Sequence, residues 1–297
     1  MPDACCWPGR LEPTTERNDL NSPSPRVSIC IPTYRGAAHL AATIESVLGQ
    51  TFTDFELVIV DDRSPDDTEA IITRYTDPRI RYLKNERNLG PEGNWNRCLE
   101  EARGALFKLL PQDDVIYPDT LARQVSVFER DPTQKLALVF GARNITDASG
   151  RIVTTRGCPG VAEGRIDAAT LVRRCIRRGT NLIGEPGSVL VRKTLADRVG
   201  RFDGSLGYVI DLDYWIRLLA HGDAYYLANA VSSFRVSGGS WSVAIGSRQS
   251  DEYRRFIARV AAQPMWEMSA VDVRAGGVMA RVNNVLRLVF YRWVLHH

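Results

Sequence analysis

Phe107-Lys108-Leu109-Leu110-Pro111-Gln112-Asp113-Asp114, followed by Val115-Ile116-Tyr117-Pro118-Asp119, decides the fold. An apolar run rich in strand formers ends abruptly in two adjacent carboxylates, and a proline-opened helix follows. Carboxylates at the C-terminal mouth of a parallel strand sit where open α/β sheets bind ligands. Adjacent Asp residues need a reason to stay ionised side by side, and a divalent cation supplies one. The plainer alternative is that Asp113 and Asp114 cap the next helix as ordinary loop acids.

Upstream of this stretch the chain alternates. Val27-Ser28-Ile29-Cys30-Ile31 reads as a buried strand closed by Pro32, and Leu40 to Gly49 as a helix. Phe55 to Val60 is a second strand ending in Asp61-Asp62, followed by a helix over Thr68 to Tyr75. Ile80 to Leu83 is a third strand, Trp95 to Ala102 a helix, and Ala105 to Leu110 the deciding strand. Strands alternating with short helices predict βαβ units and an α/β, Rossmann-like, mostly parallel sheet with helices on both faces.

Downstream the pattern changes. After a helix around Leu121 to Phe128, Leu136 to Phe140 is a strand, and Asp147-Ala148-Ser149-Gly150 a hairpin turn into Arg151-Ile152-Val153. Leu171 to Arg178 is helical and basic, and Gly187 to Val191 a short strand. Asp211-Leu212-Asp213-Tyr214-Trp215 opens a helix with acids in its first turn, and Ala224 to Val236 is strand-rich. Near the C-terminus Val278, Val282, Val285, Leu286, Val289 and Trp293 form one helical stripe flanked by Arg281, Arg287 and Arg292. Such a stripe is the usual mark of packing on the parent domain or across a homodimer. A basic amphipathic helix also suits peripheral contact with an anionic membrane.

The 297 residues suffice for a full core, and a net charge of +3 is too small to announce a nucleic-acid partner. The six cysteines show neither metal-ligand spacing nor a small disulfide framework, and Cys30 and Cys98 sit in apolar patterns. That usage points to a reducing, cytoplasmic compartment. Residues 1–25, with five prolines, read as a disordered or surface leader rather than a signal peptide. No run reaches the roughly 18 apolar residues of a membrane span. The expected organisation is a leader over 1–25, one domain over 26–245 and a helical extension over 246–297. The domain divides into a nucleotide-binding half at 26–118 and an acceptor-side half at 119–245.

Three acidic sites therefore follow strands or open a helix: Asp61-Asp62, Asp113-Asp114 and Asp211 with Asp213. A fold that converges its strand ends would bring them to one cleft. An Asp can accept the imide N–H of uracil or thymine. Oxygen ligation by Asp113 or Asp114 suits Mg²⁺ or Mn²⁺ on a diphosphate, and a third carboxylate can take a proton from an attacking hydroxyl.

With these residues assembled, the chain resembles the inverting family 2 glycosyltransferases of GT-A fold. The resemblance rests on Val27 to Arg35, Phe55 to Ser64, Gln112-Asp113-Asp114 and Asp211 to Trp215, in that order, and spans about Val27 to Trp241. It implies a sugar moved from a nucleotide-diphosphate donor to an acceptor hydroxyl on a glycan, a lipid-linked carrier or another molecule, as in polysaccharide or glycoconjugate assembly. By this resemblance Pro32, Thr33 and Tyr34 form the first nucleotide-binding loop and Asp62 meets the base, favouring UDP or dTDP over GDP. Asn88, Gly90 and Asn96 match the Asn/Gly pattern before the metal-binding strand. Asp113 and Asp114 hold the metal, with Asp114 favoured as direct ligand, and Asp211 is the catalytic base. Glu185 and Asp213 fall on the acceptor side, and Arg235 and Trp241 in the closing loop. The chain departs from the family pattern at Ser237, where many members carry His, and at Ile210, where Glu often precedes the Asp.

Two other readings compete. A sugar-phosphate nucleotidyltransferase would want a Gly-rich loop after its first strand, and Pro32-Thr33-Tyr34-Arg35-Gly36 has little glycine. A non-catalytic nucleotide-sugar-binding protein of the same fold would not need Asp113, Asp114 and Asp211 all acidic.

Overall fold

The computed structural model describes residues 24–236 and 248–296. Ten strands form one sheet in the order β3-β2-β1-β4-β9-β6-β10-β5, with β7 on β6 and β8 on β10. The first half follows the sequence reading. Strands β1 (Val27–Thr33), β2 (Phe55–Asp61), β3 (Ile80–Lys84) and β4 (Leu106–Leu109) pair in parallel. They alternate with α1 (Leu40–Leu48), α2 (Thr68–Ile72) and α3 (Gly90–Glu101). Strands β1, β2 and β4 are buried along their whole length, as continuous apolar strands between helical layers must be.

Beyond β4 the sheet becomes mixed. The acidic pair is followed by the two-residue β5 (Val115–Ile116), and α4 (Thr120–Glu129) starts only after Pro118, so the plain capping role for Asp113 and Asp114 does not occur. Strands β6 (Leu136–Thr146) and β10 (Asp223–Arg235) run parallel to each other. Strands β7 (Ile152–Arg156) and β8 (Gly164–Ile166) pair antiparallel on their edges. The strand expected at Gly187 starts at Val189, because Pro186–Ser188 forms a turn of 3-10 helix before β9 (Val189–Arg192). Strand β9 is antiparallel to both β4 and β6, so β1 to β4, β6 and β10 all point one way. Their carboxyl ends share one edge.

Four cysteines, Cys30, Cys98, Cys158 and Cys175, are buried free thiols. Helices α5 (Ala168–Arg178), α6 (Lys193–Val199) and α7 (Ile210–Leu219) cover the second half of the sheet, and α8 (Gln249–Ala261) and α9 (Ala270–His296) pack outside them. Helix α8 is stapled to the domain by Tyr253, whose hydroxyl donates to the Cys175 carbonyl at 3.0 Å. Helix α9 reverses the sequence reading of its faces. Gly276 and Ala280 lie against α5, where a Cβ on Gly276 would come within 2.4 Å of the Ile176 carbonyl oxygen. Asn283 donates to the carbonyls of Arg178 and Gly179 at 2.7 and 3.1 Å. Small and polar residues permit this close approach, and the apolar stripe is left outside. Val278, Val282, Val285, Leu286 and Val289 are 43–63% exposed. Arg287, expected beside the stripe, instead points inward. No helix among the described residues is long and apolar enough to cross a membrane.

Lys108, in the middle of β4, is fully buried and donates to the carbonyls of Gly187 and Val189, each at 2.9 Å. Burial pulls its ammonium down to about 7. The neutral amine still has two N–H donors for the two carbonyls, so its proton can leave without breaking the contacts. An unfolded lysine holds its proton to about pH 10.4, so from about pH 7 to 10 the unfolded chain binds more proton and folding is favoured by rising pH. The melting temperature of the wild type, measured against Lys108→Met, should therefore rise across that window. A pH-independent difference would contradict the assignment.

Candidate active site

The carboxyl ends of β4, β6 and β10, the turn before β9 and the start of α7 surround a cavity of about 210 Å³. Asp113, Glu185 and Asp211 reach it from three separate elements. Asp113 follows β4, whose direction is fixed by parallel pairing with β1. Its partner Asp114 lies beneath the wall at 1% exposure and accepts the Arg235 N–H through Oδ1 at 3.0 Å. Arg235 also donates Nε to the Asp113 carbonyl at 3.2 Å, tying the end of β10 to the acidic turn. The sequence reading favoured Asp114 as the direct metal ligand. Consecutive side chains leave a turn in different directions, and here Asp113 has the cavity side.

Burial raises the pKa of both carboxyls above the ordinary carboxylate range, and Asp113 and then Glu185 push Asp114 further. His39 lies near Asp113 and Arg235, and its partial burial and the Arg235 charge lower its pKa. Two crowded, desolvated carboxylates are the donor set a hard divalent cation favours. Among the described residues no group of three or more His, Cys, Asp or Glu side chains converges as a closed cage. A cation on Asp113 and Asp114 would thus take further oxygens from substrate and water.

Asp211 opens α7, where the helix N-terminus favours a carboxylate. Its Oδ2 accepts from Asn181 Nδ2 at 3.0 Å and its Oδ1 from the Leu212 N–H at 2.6 Å. Burial, then repulsion from Glu185, raises it to about 7 against those bonds and the charge of Arg143. Glu185 pairs with Arg143 Nε at 2.7 Å. Its burial works upward, but the charges of Arg143 and Arg156 hold it below the usual range. Neighbouring acids are thus driven apart, one ionised and one poised near neutrality.

Other expected residues are placed elsewhere. Asp213 does not join the site. It is 6% exposed and is clamped by Arg217 at 2.9 Å and Arg259 at 2.6 Å, because it points to α8, away from Asp211. Asp62 does not reach toward a base. Its Oδ1 accepts from Asn85 Nδ2 and the Leu89 N–H, and its Oδ2 from the Gly90 N–H, at 2.7–2.9 Å. It therefore caps α3, whose start at Gly90 (φ +73°) precedes the expected Trp95. Asn88 supports the same turn by donating to the Asp62 carbonyl at 3.1 Å. Asn96 is buried against the backbone of Phe202, donating to its carbonyl and accepting its N–H, and is likewise structural. Asp61 holds Ser64 and the Tyr82 hydroxyl. The first acidic pair has become scaffold, so two of the three acidic sites converge.

Pro32 and Thr33 close β1 beside the cleft, and Tyr34 is 40% exposed. Gln112 joins this loop to the acidic turn, accepting from Thr33 Oγ1 at 2.5 Å and from the Tyr34 N–H at 2.9 Å. Trp215 is core, donating to the Gly184 carbonyl, whereas Trp95 reaches the cavity wall. Trp241 and Ser237 lie outside the described residues. Sequence reading missed Arg143, Arg156, Asn181, Tyr208 and Arg287. A charged Arg143 within the apolar β6 was the available signal.

The model for glycosyl transferase family 2 matches residues 28–181. A relative from Mycobacterium tuberculosis, "Uncharacterized protein MT1568", is 32% identical over 72% of this chain and 68% of its own length. The chain spans about three-fifths of the length of other curated relatives. Among solved structures, Staphylococcus aureus TarS 1-349 in complex with UDP-GlcNAc has a TM-score of 0.61 at 19% identity, covering 88% of this chain and 73% of that one. Mannosyltransferase PcManGT from Pyrobaculum calidifontis, in complex with GDP-Man and Mn2+, has a TM-score of 0.62 at 17% identity, covering 93% and 78%. Fold, converging carboxylates and family match agree, and the chain belongs to glycosyl transferase family 2.

Proposed function

We propose that the chain is an inverting, metal-dependent glycosyltransferase that moves a sugar from a UDP- or dTDP-linked donor to an acceptor hydroxyl. The observation that carries this reading is Asp211, a carboxylate poised near neutrality on the wall it shares with Asp113. Asn181 and Leu212 each occupy one lone pair of Asp211 and fix its orientation, leaving a free lone pair on either oxygen. An acceptor hydroxyl donating there gives its proton to Asp211 as its oxygen attacks the anomeric carbon. The bond to the nucleoside diphosphate breaks on the opposite face, and one displacement inverts that centre. A divalent cation held by Asp113 and Asp114 would supply positive charge to the leaving diphosphate. Thr33, Tyr34 and Gln112 would shape the donor side, and Glu185, held by Arg143, the acceptor side.

The exposed stripe of α9, with exposed Arg274, Arg281 and Arg292 beside it, supports peripheral attachment to an anionic membrane. The acceptor is then a glycan or lipid-linked hydroxyl compound presented at that surface, consistent with envelope polysaccharide assembly.

Asp211→Asn should lower kcat by about 10²–10⁴-fold while UDP still binds. Below pH 7 the wild-type Asp211 is protonated and cannot accept the hydroxyl proton, so kcat/KM should rise with pH through about 7. Wild-type turnover surviving in Asp211→Asn would place the base elsewhere. With Asp62 committed to the start of α3, the pyrimidine choice is supported by the UDP-GlcNAc held in the similar TarS structure. Titration with UDP, dTDP and GDP in Mg²⁺ should favour the two pyrimidine nucleotides and lose its metal dependence in Asp113→Asn, and tighter GDP binding would overturn the nucleoside choice. In sedimentation with anionic vesicles, the Val285→Glu/Val289→Glu double variant should stay in solution while the wild type pellets. A dimer broken by the same substitutions, with no vesicle binding in either protein, would assign the stripe to self-association.

A further inference from the structure

On the acceptor side lie guanidinium groups that the displacement at Asp211 does not use. Arg287 on α9 is 7% exposed, and neither its Nε nor its Nη2 finds an acceptor among the described residues. Arg143 on β6 is 3% exposed; its Nε meets Glu185, but its Nη1 is likewise without a partner there. A guanidinium does not deprotonate in a protein, so a buried, unmatched N–H edge is a fixed positive charge lacking its anion. Arg287 lies over the Tyr208 ring, its guanidinium carbon 4.9 Å from the ring centroid. Stacking uses the planar face of the cation and leaves its N–H edge for a ligand.

Arg287 also lines a recess that adjoins the cavity. Arg156, Thr180, Asn283, Leu286, Arg287 and Phe290 line a pocket of about 240 Å³. It shares Arg156, Thr180, Arg287 and Phe290 with the wall of the Asp211 cavity. Among the described residues no carboxylate lines this recess, whereas three face the main cavity. Arg156, half-buried on β7, makes no ion pair among the described residues, and Phe290 lies 6.0 Å from its guanidinium. Two arginines and a hydroxyl in this hollow match a phosphoryl group, whose oxygens accept from several donors at once; the Asn283 amide N–H groups are already given to the Arg178 and Gly179 carbonyls. At the recess Leu286 is 60% exposed and belongs to the outward apolar stripe of α9. The hollow is therefore continuous with the face that would meet lipid.

We infer that this recess is an acceptor subsite in which Arg287 and Arg156 bind the phosphoryl group of a lipid-linked acceptor, placing the sugar hydroxyl of that acceptor toward Asp211. The inference rests on the glycosyltransferase reading for the role of the acceptor, while the anion site itself stands on the arginines and the recess.

The test is calorimetry on the full chain with the donor site filled by saturating UDP and Mg²⁺, using farnesyl phosphate, inorganic phosphate and farnesol as probes. Farnesyl phosphate should bind about tenfold or more tightly than either other probe. Arg287→Gln and Arg156→Gln should each weaken farnesyl phosphate and phosphate binding about tenfold, and Arg287→Lys should recover part of the loss. Arg156 is half-buried at a strand end, so its variant carries the test if melting curves show Arg287→Gln to be unfolded. Unchanged phosphate binding in both variants, or displacement of phosphate by UDP, overturns the subsite. Inorganic phosphate binding as tightly as farnesyl phosphate overturns the lipid assignment. UDP titrated alone separates the two readings: no UDP binding beside intact phosphate binding strikes the donor reading only, and the reverse strikes the subsite only.

Discussion

Lys108 holds the place where the sheet changes character. On one side of β4 the strands are all parallel, and on the other β9 runs against both its neighbours. Only Leu106↔Arg192 and Phe107↔Val191 pair β4 with β9, a short ladder for a junction between two halves of a protein. The Lys108 amine extends it by donating to the Gly187 and Val189 carbonyls. The segment it holds is Pro186–Ser188, immediately after Glu185, where a Cβ on Gly187 would come within 3.9 Å of the Asp114 side chain. An apolar side chain at 108 would fill the space but remove both bonds. This contact ties β4, which leads into the acidic turn, to the segment that follows Glu185.

The acids of the chain divide by how completely their oxygens are satisfied. Asp61, Asp62 and Asp213 are saturated by backbone N–H groups, hydroxyls or arginines, and they act as scaffold. Asp113, Asp114 and Asp211 are under-compensated, and burial drives them toward the protonated form. Burial without full compensation is costly for a folded chain, and it persists where charge is to be met by a ligand or a proton. The same contrast separates the arginines: Arg217 and Arg259 are locked in ion pairs, whereas Arg287 keeps unmatched N–H groups.

Helix α9 serves two surfaces at once. Its Gly, Ala and Asn face lets the backbone approach α5, so that Arg287, Phe290 and Tyr291 close the cavity beside Asp211. The stripe of Val278, Val282, Val285, Leu286 and Val289 remains outside. A helix that lined its apolar stripe against the domain would have kept Arg287 in solvent and left the cavity open beside Asp211.

The sequence by itself determined the parallel half of the sheet, the placement of Asp113 and Asp114 after β4, the start of α7 at Asp211, and the family. Those features are local: an apolar strand, a turn and a capped helix are written in consecutive residues. Only the tertiary structure decided what each acid faces. Asp62 caps α3 because the Leu89 and Gly90 N–H groups come to it across the fold, 27 and 28 residues later. Asp113 rather than Asp114 reaches the cavity because the Arg235 backbone, 121 residues on, takes Asp114. The inward face of α9 was likewise illegible in its periodicity. Hydrophobic patterning shows which side of a helix is apolar, but close approach to α5 selected its small residues instead.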